Sequence, residues 1–302
     1  MQITNEIIKS ILPPERKKDS HKGDYGHLLV IAGSLNMTGA SVLTAAAALH
    51  CGPGLVTLAI PQKTYNVTVS RLPAEVMTLV LPDTQQGSIS DKSYSTIMEY
   101  IQKRKISALA IGPGMSSNSE TIELVREVLI SSEIRELPII LDADGLLGFV
   151  PRKNMVITPH PGELARLTKK TIREIQSNRE KNVVEFAKEN EIIAVLKGNN
   201  TIITDGEQVY INQTGNPGMA TGGSGDVLTG MIAGFISQVT GNSLLERLFN
   251  SCILGVHLHG LSGDLASQEK TQISVLPTDS IAKIPDAIKS VMCIKSVMLT
   301  KK

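Results

Sequence analysis

Residues 215–226 carry five glycines and one aspartate and lead straight into the apolar run Val227 to Val239. Gly222, Gly223 and Gly225 lack a Cβ, so backbone there can approach a ligand closely. The amides of Gly223, Ser224, Gly225 and Asp226 are the open donors of a helix N-terminus, and with the helix dipole they favour an anion such as phosphate. A carboxylate in that place repels a phosphate. Asp226 is therefore either a capping side chain or the base for the group that attacks the phosphate.

Other polar groups of chemical interest follow apolar runs. His160 stands between Pro159 and Pro161 on a stiff turn that suits ligand contact. Glu163 opens the next helix, as a cap or as a metal ligand through water. Asp142 and Asp144 follow Ile139 to Leu141 and either cap a helix or help hold magnesium through water; their spacing does not choose. Lys197-Gly198-Asn199-Asn200-Thr201, Gly112-Pro113-Gly114-Met115, Gly33-Ser34 and Gly39-Ala40 complete the set. His257 and His259 are two apart on a helix, face different directions and make no metal pair. Lys197-Gly198 has its glycine on the wrong side for a Walker loop, and Gly52-Pro53-Gly54 lacks the third glycine of a dinucleotide fingerprint.

Apolar runs at 27–32, 55–60, 76–81, 108–111, 139–141, 155–158 and 192–196 read as buried strands. Helical patterns at 40–51, 92–103, 119–130, 162–167 and 172–190 alternate with them. This order predicts an α/β protein with an open, mostly parallel sheet covered on both faces, whose ligands sit outside the strands' carboxyl ends. Asp205-Gly206 makes a hairpin of 201–204 and 209–211 near one edge. Helices at 226–239, 244–265 and 278–291 follow. With no repeat or linker, residues 1–302 read as one domain, with a solvated N-terminal arm over 1–20 and a frayed tail over 293–302.

A net charge of +1, five tyrosines, four phenylalanines and no tryptophan offer neither the basic surface nor the stacking platforms of a nucleic-acid binder. Cys51, Cys252 and Cys293 are odd in number and far apart, which implies free thiols in a reducing compartment, the cytoplasm. No signal sequence opens the chain, and no window nears the ~18 apolar residues of a membrane span.

From about Lys22 to Ile288 the chain resembles the ATP- or ADP-dependent NAD(P)H-hydrate dehydratases, of ribokinase-like fold. The resemblance rests on His21-Lys22-Gly23, Ala32-Gly33-Ser34, Gly112-Pro113-Gly114, Thr158-Pro159-His160-Pro161-Gly162-Glu163, Val195-Leu196-Lys197-Gly198-Asn199 and Gly222-Gly223-Ser224-Gly225-Asp226. It implies removal of water from the S form of hydrated NADH or NADPH at the expense of ATP or ADP, with Mg2+ on the nucleotide phosphates. It further implies that Ala40, Gly114, His160 and Asp226 contact the hydrated dinucleotide, that Lys197, Gly198, Asn199, Asn200, Thr201 and Gly225 hold the adenine nucleotide, and that Asp226 is the base. The amides of Gly223, Ser224 and Gly225 then stabilise the migrating phosphoryl group.

The family also implies a homotetramer. Many members carry an amino-terminal epimerase domain; only some twenty residues precede the motifs here, so epimerase activity is expected from a separate protein. Ser224 stands where a threonine is frequent. Two other functions compete. A ribokinase-like kinase of a vitamin alcohol would use the same Asp226 and release a stable phosphate ester, and a nucleotide sensor without turnover would gain nothing from Asp226.

Overall fold

The computed structural model describes residues 1–299, and side-chain surroundings through Met292. The expected tail over 293–302 and the Cys293 thiol lie outside the described side chains. In chain order the elements are α1 (Asn5–Ile11), β1 (His27–Ile31), α2 (Thr38–Leu49), β2 (Leu55–Pro61), α3 (Tyr65–Val69), β3 (Met77–Leu81), α4 (Tyr94–Arg104), β4 (Ala108–Ile111), α5 (Ser119–Ile130), β5 (Ile139–Leu141) and β6 (Met155–Ile157). Then come α6 (Pro161–Thr168), α7 (Ile172–Ser177), α8 (Arg179–Asn190), β7 (Ile193–Leu196), β8 (Ile202–Thr204), β9 (Val209–Ile211), α9 (Ser224–Phe235), α10 (Leu244–Lys270) and α11 (Pro277–Leu299).

The nine strands form one sheet in the order β3-β2-β1-β4-β5-β6-β7-β8-β9. Pairing is parallel from β3 to β7, and the β8–β9 hairpin is antiparallel at the edge, as expected. Alternate residues of each strand serve opposite cores, which is why the strands read as unbroken apolar runs. Leu28, Val30, Leu58, Ala110, Ile140 and Val195 face α2, α9, α10 and α11. Leu29, Ile31, Leu109, Ile139, Ile157 and Leu196 face α4, α5, α6 and α8.

The chain passes from β1 to β2 and β3 on one side and returns to β4 on the other, so the order in which strands are added reverses between β1 and β4, which are themselves parallel. In an open α/β sheet the ligand crevice forms at such a point, outside the carboxyl ends of both strands. The alanines of α2 let α9 pack tightly on it: a Cβ on Gly230 would lie 2.2 Å from the Thr44 carbonyl oxygen. This contact brings the first turn of α9 beside the crevice.

Three expectations need correction. Residues 1–12 are docked and not part of a solvated arm, whereas 14–19 are exposed as expected. Met1 and Ile3 pair with the β9 edge through the bonds Ile3 N to Ile211 O, 3.1 Å, and Ile211 N to Met1 O, 2.9 Å. Ile8 and Ile11 of α1 are buried in the core that α10 and α11 share, because their i, i+3 spacing gives this short helix an apolar face. The helix expected over 172–190 is broken at Asn178, whose extended backbone (φ −152°) and cap on the Lys181 amide start α8 anew. Asp142 and Asp144 do not cap: Asp142 makes no capping bond, and Asp144 Oδ2 accepts from the Ser116 amide at 2.8 Å.

Cys51 and Cys252 are buried free thiols. Among the described residues no helix is long and apolar enough to cross a membrane.

Candidate active site

The loops after β1 and β4 meet across the crevice, where the Gly33 amide donates to the Pro113 carbonyl at 2.8 Å. Gly114 is pressed against the start of α2, so that an added Cβ would lie 2.8 Å from the Ala40 methyl. Two expected substrate contacts far apart in the chain are therefore neighbours. The loops after β5, β6 and β7 continue the same rim, with the Lys197 amide donating to the Pro159 carbonyl at 2.9 Å.

Gly223 caps α9 in the left-handed region (φ 99°), a conformation that suits glycine, and Asp226 follows in the first turn. The Ser224 amide turns back to the Thr221 carbonyl at 3.3 Å, whereas Gly223, Gly225 and Asp226 donate to no backbone carbonyl among the described residues. Of the three amides expected to form the hole, those of Gly223 and Gly225 stay open; Ser224 adds its hydroxyl.

A buried charge cluster lies beside this turn. The Asp142 carboxylate, 1% exposed, accepts from Lys197 Nζ at 2.6 Å and from the buried Thr229 hydroxyl at 2.7 Å. Lys197 Nζ is also 3.8 Å from Glu163 and lies 3.3 Å from where a Gly225 Cβ would stand. Burial alone would lower the lysine, but the Asp142, Glu163 and Asp226 carboxylates outweigh it and hold the ammonium above its ordinary value. Burial pushes the Asp226 carboxyl up to about 7; Asp142 adds to the rise, Lys197 opposes it, and Asp144 contributes further. A carboxylate held near neutral pH is suited to exchange a proton with a hydroxyl.

His160 begins α6 as half of a capping box. Its Nδ1 accepts from the Gly162 and Glu163 amides at 3.0 and 3.2 Å, and Glu163 Oε2 accepts from the His160 amide at 2.7 Å. Nε2 therefore carries the proton of the neutral ring. The imidazole is more than half exposed beside Glu163. Of the two roles weighed for Glu163 the cap is present, and it uses one oxygen. Gly198, Asn199 and Asn200 are exposed on the β7–β8 turn, and the Thr201 hydroxyl closes that turn on the Gly198 carbonyl at 2.8 Å.

Among the described residues no three His, Cys, Asp or Glu side chains gather around a common point. Asp142 and Glu163 have the oxygen chemistry that magnesium takes, but both Asp142 oxygens already accept short bonds and Glu163 has one oxygen in its cap.

Sequence reasoning missed several groups. Arg179 of α8 braces the nucleotide-loop candidate by donating to the Asn199 and Lys197 carbonyls. Asp264 of α10 accepts from the Gly215 amide and the Asn216 side chain, both at 2.9 Å, and so orders the entry to the glycine stretch. Thr229, one turn beyond Asp226, carried no sequence signal apart from its polarity within an apolar run. His259 was read only for metal pairing, yet its Nε2 lies 3.4 Å from the Ser224 hydroxyl.

The comparisons bear on this geometry directly. A sequence model of the NAD(P)H-hydrate dehydratase family matches residues 28–286. The chain is 39% identical over 287 residues to a bifunctional NAD(P)H-hydrate repair enzyme of Moorella thermoacetica, covering 92% of this chain and 52% of the relative. It is 31% identical to an ADP-dependent (S)-NAD(P)H-hydrate dehydratase of Bacillus subtilis, covering 90% of this chain and 92% of the relative. A crystal structure of the ADP/ATP-dependent NAD(P)H-hydrate dehydratase of Bacillus subtilis, co-crystallised with ATP and Mg2+, superposes with a TM-score of 0.82 at 30% identity, covering 95% of this chain and 97% of that one. The chain spans about half the length of the bifunctional relatives it matches. Matched along nearly its whole sheet, from β1 into α11, the chain belongs to the NAD(P)H-hydrate dehydratase family.

Proposed function

We propose that the chain works as one ribokinase-like domain that uses ATP or ADP to dehydrate the S form of hydrated NADH or NADPH, repairing the damaged cofactor. The observation that carries this reading is Asp226: a carboxyl pushed up to about 7, one residue past the open amide of Gly225 at a helix N-terminus. Asp226 takes the proton of the ring hydroxyl as that oxygen attacks the terminal phosphate of the nucleotide. The amides of Gly223 and Gly225, with Lys197 beside them, stabilise the charge spread over the phosphoryl oxygens. The hydroxyl then leaves as phosphate, a far better leaving group. The lone pair of the ring nitrogen expels it, so no strong protein acid is needed.

Ala40, Gly114 and His160 contact the dinucleotide around the β1/β4 crevice, His160 through its exposed Nε2–H. Residues 197–201 and Gly225 hold the adenine nucleotide. Magnesium would enter with the nucleotide and neutralise phosphate charge; Glu163, with one oxygen outside its cap, would be the nearer of the two acids to reach it through water, since both Asp142 oxygens are bonded within the protein. The same hole and base suit a kinase of a vitamin alcohol, and family membership favours dehydration. The rest of the reading is a cytoplasmic homotetramer, fed with the S hydrate by an epimerase acting on the R form.

The test is the absorbance of reduced nicotinamide. Purified protein given freshly prepared hydrated NADH should restore it in the presence of ATP or ADP, compared side by side, with release of inorganic phosphate. No restoration with either nucleotide refutes the dehydratase, and a stable phosphate ester in its place would identify a kinase.

A further inference from the structure

His259 lies on α10, and its imidazole reaches the first residue of α9, with Nε2 3.4 Å from Ser224 Oγ. Burial holds this ring down at about 4; contact with the Ser224 backbone raises it, and the Lys197 ammonium lowers it further. At neutral pH the ring is uncharged, with one N–H and one bare nitrogen. Ser224 Oγ is the hydrogen-bond partner of this ring among the described residues, so the N–H is satisfied when it stands on Nε2 and Oγ accepts it.

The tautomer matters because the Ser224 amide is already bound to the Thr221 carbonyl. The hydroxyl is then the donor this residue has left for an anion. If the ring accepted from Ser224, it would draw the hydroxyl hydrogen away from the open amides of Gly223 and Gly225. A ring that donates to Oγ leaves that hydrogen free to turn toward them. A neutral donor also adds no charge that would hold the phosphate product.

We propose that His259 is a positioning residue for phosphoryl transfer: its ring N–H donates to Ser224 Oγ and directs the Ser224 hydroxyl hydrogen at the migrating phosphoryl oxygens. This role rests on the dehydratase reading above.

The experiment is a double-mutant cycle on the nucleotide-dependent restoration of NADH absorbance. His259→Leu should lower kcat about tenfold, the scale of one hydrogen bond made in the transition state, and change the KM for nucleotide less than about threefold. His259→Gln, whose amide can donate along the same line, should recover most of the rate. Ser224→Ala should lose about as much as His259→Leu, and the double variant no more than either alone. If His259→Leu does not fold, His259→Asn, too short to reach Oγ, takes its place. Additive losses, no recovery in His259→Gln, or an unchanged kcat in His259→Leu would overturn the role. Inactive wild-type protein would instead refute the dehydratase reading, so the two failures are distinguishable.

Discussion

Replacing Asp226 by asparagine should abolish turnover and at the same time stabilise the protein. The native carboxyl keeps its proton up to about pH 7, against an ordinary value of 3.8. Across that window the folded chain binds more protons than the unfolded one. The stability this confers is complete below the unfolded value and is lost as pH rises through about 7. A rise of roughly three units corresponds to at most about 4 kcal/mol. Asp226 is only partly buried, so solvent screening reduces this to about 2 kcal/mol. Asparagine has the same shape and no titration. Urea denaturation of both proteins at about pH 5 and about pH 8 should therefore show the variant's advantage growing by about 1 kcal/mol between the two, because the unfolded carboxyl is already ionised at about pH 5. In the wild type, kcat/KM should rise with pH through about 7 as the base ionises, and the variant should lose at least about a hundredfold in kcat. Nucleotide affinity should stay the same or improve, because a charge beside the phosphates is gone. Stability curves that stay parallel from one pH to the other would refute the buried-carboxyl argument, and undiminished turnover in the variant would remove Asp226 from the base role.

Lys197→Met should destabilise the protein by about 3–5 kcal/mol, because Asp142, 1% exposed, is left as a buried charge without its cation. The midpoint of its pH-rate profile should also move upward, since Lys197 opposes the rise at Asp226; an unchanged melting temperature would contradict this. Gly222→Ala and Gly223→Ala should differ. A Cβ at Gly222 meets nothing within 4 Å, so its melting temperature should hold while the KM for nucleotide rises. At Gly223 the φ of +99° and a contact of 2.6 Å with Leu43 should cost about 1–3 kcal/mol. Equal melting temperatures in the two variants would show that the cap is not strained by a side chain.

The strands, their order along the chain and the ligand-facing loops could be read from residues alone. A strand buried on both faces must be apolar throughout, and the glycines and prolines after it mark where the backbone turns, so 108–111 and 139–141 coincide with β4 and β5. The glycine stretch before an apolar helix likewise marked a candidate anion site, because amides and dipole are properties of the local backbone. Pattern ended where contacts became distant. Lys197 and Thr229 meet Asp142 across 55 and 87 residues, and His259 meets Ser224 across 35. No periodicity encodes those distances. The two acids at 142 and 144 looked equivalent in the chain, yet packing against α9 and β7 made one the buried partner of a lysine and left the other bonded to a backbone amide. The docking of residues 1–12 was hidden for a similar reason, since a seven-residue helix shows an apolar face only once α10 and α11 are there to cover it. Residue types therefore determined which groups were available, and the tertiary fold decided their charge, because a carboxyl's affinity for its proton depends on the water and the neighbours that packing removes or supplies.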